Sequence, residues 1–191
     1  MRNAMKVLAA GMLVGCLSGG LVYAGAEAAP TLTVAADQKR IFPGGTGTFV
    51  VSIQDVQNLG ALQVKIEISG GQQGTLTVKS MTIAKTDPNY VFASAETFSA
   101  VDSSGPQMRA GAVVVGDGVD VGESKIFATF IVEASRDAVG TYTVTLVENE
   151  AQTFLRDANA VAIQVLIKSS QVTVGSVAVP TKDRKRTTNR G

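Results

Sequence analysis

The stretch Leu62-Gln63-Val64-Lys65-Ile66-Glu67-Ile68-Ser69 alternates strictly between aliphatic and polar side chains. Successive side chains of a β-strand point to opposite faces of the sheet, so the four aliphatic residues share one face and the polar residues share the other. This repeat of two residues does not fit the 3.6-residue repeat of a helix. The stretch therefore predicts a half-buried strand with Gln63, Lys65 and Glu67 on its solvent side.

Similar short runs, closed by glycine, proline or Asx residues, occur on both sides of this strand. Residues 76–83 alternate with a phase slip near Ser80 that predicts a bulge, and residues 126–132 are almost continuously apolar, which predicts a central strand. The other runs are residues 31–34, 48–53, 91–99, 108–115, 140–146, 161–167 and 172–174. No amphipathic helix stands out among them.

These runs predict an all-β fold, an antiparallel, jelly-roll-like β-sandwich of about nine strands. A barrel is the competing architecture, because both folds require alternation and protected edges. About 150 residues are enough for one domain, which we place at residues 29–177.

The first residues have the pattern of an export signal. Arg2 and Lys6 form a positively charged start, and residues 7–24 then contain no charge. Small residues follow at Ala26 and Ala28, which predicts a signal peptide over residues 1–28 with cleavage after Ala28. A retained membrane anchor is the alternative, which several glycines in the apolar run disfavour. We expect a secreted, periplasmic or cell-surface protein.

Cys16 opens a second possibility for this leader. Leu13-Val14-Gly15-Cys16 resembles a bacterial lipobox, in which the thiol would be lipidated and the protein anchored to a membrane. Because Cys16 is the chain's single cysteine, cleavage after Ala28 would leave no thiol and no disulfide. Plain secretion is the favoured alternative.

Charge argues against a nucleic-acid partner. Residues 31–177 hold ten Lys and Arg against fourteen Asp and Glu, a balance of −4. Residues 178–191 include a basic run with five cations and one acid, which we interpret as a disordered tail.

Histidine is absent from the whole chain, which removes the usual general base and the commonest metal ligand. We expect no cofactor and no enzymatic activity.

Several runs resemble the cohesin domain, the module that receives dockerins in cellulosomes. The resemblance covers residues 31–175 and is carried by Pro43-Gly44-Gly45 before residues 48–53, by residues 56–66, by residues 125–132 and by residues 140–146. It implies a non-catalytic module for protein attachment, linked to polysaccharide binding or breakdown, with a dockerin-type or other envelope protein as partner. Carbohydrate-binding modules of similar fold are the alternative.

The chain departs from the cohesin pattern after the strand at residues 62–68. Where many cohesins have a Tyr-Asp-Pro-like step, this chain has Ile68-Ser69-Gly70-Gly71-Gln72-Gln73. The family's dockerin-binding residues lie near that step and are not carried over. We therefore propose the exposed polar side of the strand itself, with Gln63, Lys65 and Glu67, as the partner-binding face.

Three other groups of residues could be considered for metal binding, catalysis or sugar binding. The acidic run Gly116-Asp117-Gly118-Val119-Asp120-Val121-Gly122-Glu123 is more typical of a hairpin turn than of a Ca²⁺ site. Glu148, Glu150 and Asp157 lack the opposed arrangement that glycoside hydrolysis needs, and we expect them to be solvated. For the carbohydrate alternative, Tyr90 is the best candidate for an exposed aromatic ring that stacks on a sugar.

Overall fold

The structure is a computed structural model that describes residues 28–104 and 107–175. The predicted signal peptide, the lipidation candidate Cys16 and the predicted basic tail lie outside these residues. Cleavage, lipidation and tail disorder therefore stay predictions, as do the domain limits at residues 29 and 177.

The described residues form fourteen strands and no helix. The strands are β1 (Thr31–Ala36), β2 (Arg40–Ile41), β3 (Thr46–Gln54), β4 (Val56–Gly70), β5 (Leu76–Ile83), β6 (Thr97–Asp102), β7 (Arg109–Val114), β8 (Val119–Val121), β9 (Lys125–Ala134), β10 (Gly140–Leu146), β11 (Phe154–Asp157), β12 (Ala162–Ile163), β13 (Leu166–Lys168) and β14 (Ser170–Val174).

The strands make two sheets, so the fold is a sandwich and not a barrel. One sheet has the order β13-β1-β3-β9-β5. The other has the order β12-β11-β4-β10-β14-β2, with β8 and β7 also paired to β4 and with β6 paired to β7. Most pairs are antiparallel, and two short parallel pairs, β1 with β13 and β14 with β2, are added. The predicted all-β sandwich is confirmed.

Strand β4 is the predicted alternating strand, extended to fifteen residues. Leu62, Val64 and Ile66 are buried, as the alternation requires. One edge of β4 pairs with β8 and β7, and the other pairs with β11 and β10. Strands β10 and β11 lie in line along the second edge and are separated by a loop, residues 147–153, that leaves the sheet and returns to it.

Aromatic rings fill the space between the sheets. Phe49 and Phe130, from neighbouring strands β3 and β9, stack with ring centres 5.2 Å apart. Phe127 packs edge-on against Phe92 at 6.5 Å. These rings are almost fully buried, and burial of large apolar side chains is the main favourable contribution to folding. The predicted central position of residues 126–132 is confirmed, because β9 lies between β3 and β5.

Two sequence-based strand boundaries are wrong, and the predicted bulge is confirmed. The register of β5 shifts between Val78 and Ser80. Residues 91–96, however, form turns, and the strand begins at Thr97. The run at residues 161–167 breaks into β12 and β13, because the chain crosses there from one sheet to the other. Buried apolar residues in a loop, or in a segment that passes from one sheet to the other, give the same sequence pattern as a strand.

The described part of the chain contains no helix that could span a membrane.

The aromatic stack generates a stability prediction. We expect Phe130→Ala to lower the free energy of unfolding by about 3–5 kcal/mol, because it removes a fully buried ring and leaves a cavity beside Phe49. The neighbouring Ile131→Thr is the control, and it should change stability by less than about 0.5 kcal/mol, since Ile131 points to solvent. Urea unfolding of both variants measures the difference, and equal effects would contradict the proposed core.

Candidate functional site

The polar side of β4 points away from the core, as predicted. Gln63 and Lys65 are half-buried and Glu67 is exposed. The Gln63 amide is not free for a partner, however, because its Nε2 donates a hydrogen bond to the Gln152 carbonyl at 2.9 Å. Gln63 therefore holds the returning end of the loop at residues 147–153, and Lys65 and Glu67 are the more accessible members of the predicted set.

Three neighbouring strands extend this surface. Pairing of β6 with β7, of β7 with β4, and of β4 with β11 brings outward side chains into rows across the sheet. The first row is Phe98, Val113, Ala61 and Arg156, the second is Ala100, Gly111, Gln63 and Phe154, and the third is Asp102, Arg109 and Lys65. We call these eleven outward residues the four-strand face.

The centre of the four-strand face is an apolar depression. Phe98, Val113 and Phe154 line a hollow of about 340 Å³. Phe98 is 74% exposed and Val113 is 54% exposed, which is unusual for large apolar side chains on a monomer surface. The hollow exists because Gly111 contributes no side chain to the middle of its row, so the rings on either side stand above the backbone. An apolar side chain of a partner fits such a hollow.

Cations lie at two margins of this depression. Arg109, Lys65 and Arg156 belong to the face. The guanidinium of Arg156 lies 5.4 Å from the centre of the Phe154 ring, which fixes it at the rim through a cation–π contact. Arg109 Nη2 donates to Asp102 Oδ2 at 2.6 Å, so part of its charge is already balanced. The face as a whole favours a partner with apolar side chains flanked by carboxylates.

Asp102 is held in its charged form by three donors. The Ser104 hydroxyl donates to it at 2.6 Å, Arg109 donates at 2.6 Å, and the Ser104 N–H donates at 3.0 Å. These bonds favour the carboxylate and hold the pKa of Asp102 well below its usual range. Its contribution to stability is therefore present above the ordinary value of 3.8 and is lost as the pH falls below that value.

Tyr90 does not lie on the surface, so the prediction of an exposed stacking ring is wrong. Only 4% of Tyr90 is exposed, and its ring packs edge-on against Phe92 at 5.8 Å. Residues 84–96 fold over the opening between β5 and β6, and Tyr90, Val91 and Phe92 plug it. Burial of its hydroxyl raises the pKa of Tyr90, and the nearby Thr97 side chain offsets a smaller part of this rise. The Tyr90 hydroxyl has no hydrogen-bond partner among the described residues.

The acidic residues singled out in the sequence have local roles. Asp120 Oδ1 accepts a hydrogen bond from the Asn58 N–H at 2.8 Å, where Asn58 has a φ of 53°. Asp157 Oδ1 accepts bonds from the N–H groups of Asn159 and Val161, each at 2.8 Å. Glu148 and Glu150 are exposed on the loop at residues 147–153. Among residues 28–104 and 107–175, no group of three or more metal-ligating side chains is close enough to hold an ion.

Sequence reasoning missed the apolar centre of the face. Phe98 and Phe154 lie at the ends of short strands, where periodicity does not tell an outward ring from a core ring. The available signal was the alternation in Thr97-Phe98-Ser99-Ala100-Val101-Asp102, which places Phe98 on the same face as Asp102. A ring that shares a strand face with a charged residue is expected to be exposed.

These features define a class of protein, a two-layer β-sandwich that presents a flat, partly apolar sheet face. No protein-family model matches the chain, and no curated protein matches it. Solved structures do.

The chain has a cohesin-like fold. It resembles a non-cellulosomal cohesin from the archaeon Archaeoglobus fulgidus (14% identity, 78% of this chain and 93% of that one, TM-score 0.52). It also resembles the cohesin module of a Clostridium perfringens family 33 glycoside hydrolase (7% identity, 75% of this chain and 96% of that one, TM-score 0.53). A third match is the sixth cohesin of Acetivibrio cellulolyticus scaffoldin B, solved in complex with a double mutant of the Cel5 dockerin (10% identity, 78% of this chain and 100% of that one, TM-score 0.53). The resemblance that we inferred from the strand sequences is confirmed at the level of the fold.

The bonding of Asp102 generates a titration prediction. We expect Ser104→Ala to raise the pKa of Asp102 towards 3.8, because it removes the largest of the three stabilising bonds. Arg109→Gln should raise it as well, because it removes a hydrogen bond and a positive charge, and Lys65→Gln, which removes a nearby cation without a bond to Asp102, should leave it unchanged. Carboxyl carbon NMR over a pH series measures all three variants. An unchanged pKa in Ser104→Ala would contradict the assigned cause.

Proposed function

We propose that this protein is a non-catalytic binding module that attaches a protein partner to its four-strand face. The observation that carries the proposal is the exposed hollow between Phe98, Val113 and Phe154, with Lys65 and Arg109 in the row on one side of it and Arg156 beside Phe154. Binding energy at protein interfaces concentrates in a few central apolar and arginine contacts that a polar rim shields from water. The four-strand face combines an apolar centre with charged residues at its margins, as such an interface requires.

The fold supports a protein as partner. One of the similar cohesins was solved with a dockerin bound, and we propose a dockerin-like or other envelope protein for this chain. The face itself narrows the class. The partner should offer an apolar side chain for the hollow and carboxylates for Lys65, Arg109 and Arg156, since complementary charge fixes the register of an interface.

The same proposal covers location and attachment. The leader at residues 1–28 supports export to the cell surface, the periplasm or the medium. Attachment to a membrane requires lipidation of Cys16, and in its absence we propose a secreted module. The net acidic body between residues 31 and 177 supports the proposal that nucleic acid is not a partner.

Two features support a role without catalysis. The chain contains no histidine. Of the carboxylates considered for glycoside hydrolysis, Glu148 and Glu150 line a cavity of about 390 Å³ from the same exposed loop, and Asp157 does not line it. Direct binding of a polysaccharide is the second candidate of the sequence reasoning. Burial of Tyr90 removes its main support.

The proposal predicts that partner binding depends on the hollow. The protein, produced from its full sequence, is titrated calorimetrically with a panel of recombinant dockerin modules and with fractionated exported proteins of the source cells. For the protein that binds, we expect Val113→Glu to weaken binding by about thirtyfold or more, since a carboxylate in the hollow is buried on binding and repels the partner's acids. Lys65→Glu should also weaken binding, because its carboxylate repels the partner's acidic residues.

Ile131→Glu is the matched control, because Ile131 is an exposed strand residue on the other sheet. It should bind as the unchanged protein does. Equal losses in Ile131→Glu and Val113→Glu, or undiminished binding by Val113→Glu, would contradict the assigned face. Retention of a purified polysaccharide, with no protein bound, would favour the carbohydrate alternative.

A further inference from the structure

A β-sheet exposes unpaired N–H and C=O groups along its edges, and natural proteins protect long edges against pairing with other chains. Most edges in the described part of this chain are protected. Strands β2, β8, β12 and β13 are only two or three residues long. Strand β5 is longer, but it carries the bulge between Val78 and Ser80 and an exposed Lys79, and both features disfavour pairing.

Strand β6 is the exception. It has six residues in regular register with β7 and no bulge, proline or lysine, and its sequence is Thr97-Phe98-Ser99-Ala100-Val101-Asp102. Phe98, Ala100 and Val101 are all exposed. Regular, apolar and β-prone edges of this kind readily accept another strand.

The hydrogen-bond pattern shows which groups of β6 are available. The Val115 N–H donates to the Glu96 carbonyl at 2.9 Å, which makes residues 96 and 115 a hydrogen-bonded pair. Such pairs recur at every second residue of an antiparallel ladder. Phe98, Ala100 and Asp102 therefore bond to β7, and the N–H and C=O groups of Thr97, Ser99 and Val101 point outward. No described residue occupies these outward backbone groups.

The outward groups of β6 are complementary to those of a second β6. If two copies pair antiparallel with Ser99 opposite Ser99, then Thr97 of each copy lies opposite Val101 of the other. All three outward residues are then matched, and six backbone hydrogen bonds form, since each such pair exchanges two. A shift of the register by two residues leaves only two matched pairs. The Ser99 register also places each Phe98 beside the Ala100 of the other copy.

We propose that the chain self-associates through β6, with Ser99 on the two-fold axis, so that the sheets of two copies join into one. The partner is a second copy because this register sets the exposed Phe98 of each copy beside the small, exposed Ala100 of the other, which covers the apolar side chains that β6 leaves in solvent. Glu96 then lies opposite Asp102 of the other copy. Arg109, which already bonds to Asp102, moderates the repulsion between these carboxylates.

Ser99→Pro tests the proposal with little effect on the fold. The Ser99 N–H points away from β7, so proline removes an outward donor and adds a ring at the axis without breaking a bond between β6 and β7. Sedimentation velocity of the full-sequence protein should show a dimer fraction that increases with concentration up to about 1 mM. In Ser99→Pro the dimer should be lost while the circular dichroism spectrum is retained. A protein that stays monomeric, or a dimer that persists in Ser99→Pro, overturns the proposal.

Cysteine cross-linking keeps the test independent of proline's effect on folding. In a Cys16→Ser background, Ser99→Cys carries the only thiol. Directly opposed hydrogen-bonded residues have Cα atoms about 5.5 Å apart, within the range of a disulfide. We expect Ser99→Cys to form a covalent dimer under mild oxidation. Val101→Cys is the matched control. In the proposed register Val101 lies opposite Thr97 of the other copy, so the two Val101 residues are offset by four residues along the strand, roughly 13 Å. Equal cross-linking at both positions overturns the register.

These results are separable from the proposed function. Val113→Glu leaves the β6 edge intact, so loss of partner binding in that variant with retained self-association tests the face alone. Loss of self-association in Ser99→Pro tests the edge alone.

Discussion

The pairing of β4 along both of its edges is the constraint on which the rest of this structure depends. Fifteen residues of one strand pair with β8 and β7 on one side and with β11 and β10 on the other. Each backbone bond contributes only about 0.5–1.5 kcal/mol net, but an unpaired group at the centre of a sheet would cost more. The strict alternation at residues 62–68 then fixes the register, since a slip of one residue would turn Leu62, Val64 and Ile66 to solvent.

The same pairing builds the four-strand face. Because β7 and β11 flank the same part of β4, their outward residues fall into rows with Ala61, Gln63 and Lys65. The hollow follows from one residue type in one row, namely Gly111 between Ala100 and Gln63. Gln63 contributes less to recognition than its position indicates, because its amide holds the loop at residues 147–153. The face is therefore a product of strand register, with side-chain chemistry added at a few positions.

Sequence reasoning reached the fold because alternation is local and its physical cause is local. The strand at residues 62–68, the bulge near Ser80 and the central position of residues 126–132 could all be predicted from consecutive side chains. Tyr90, Val91 and Phe92 could not. Their burial depends on an opening between β5 and β6, which lie in different sheets, and a plug of this kind has the composition of a strand. Phe98 and Phe154 were missed for the converse reason, since an outward ring on a short strand resembles an inward one until the neighbouring strands are known.

The proposed edge and the proposed face are connected through Phe98, which lies on the face and on the edge strand. Side chains alternate along β6, so a copy added at its edge lies in the plane of the sheet and not above the hollow. Joined in this way, the two sheets turn their four-strand faces to the same side. The two hollows then lie on one continuous surface with a two-fold axis between them. A partner with two suitable segments would bind both, and the second contact would form at the high effective concentration that the first contact provides. Self-association therefore adds to partner attachment and does not compete with it, because the edge uses backbone groups that the face leaves free.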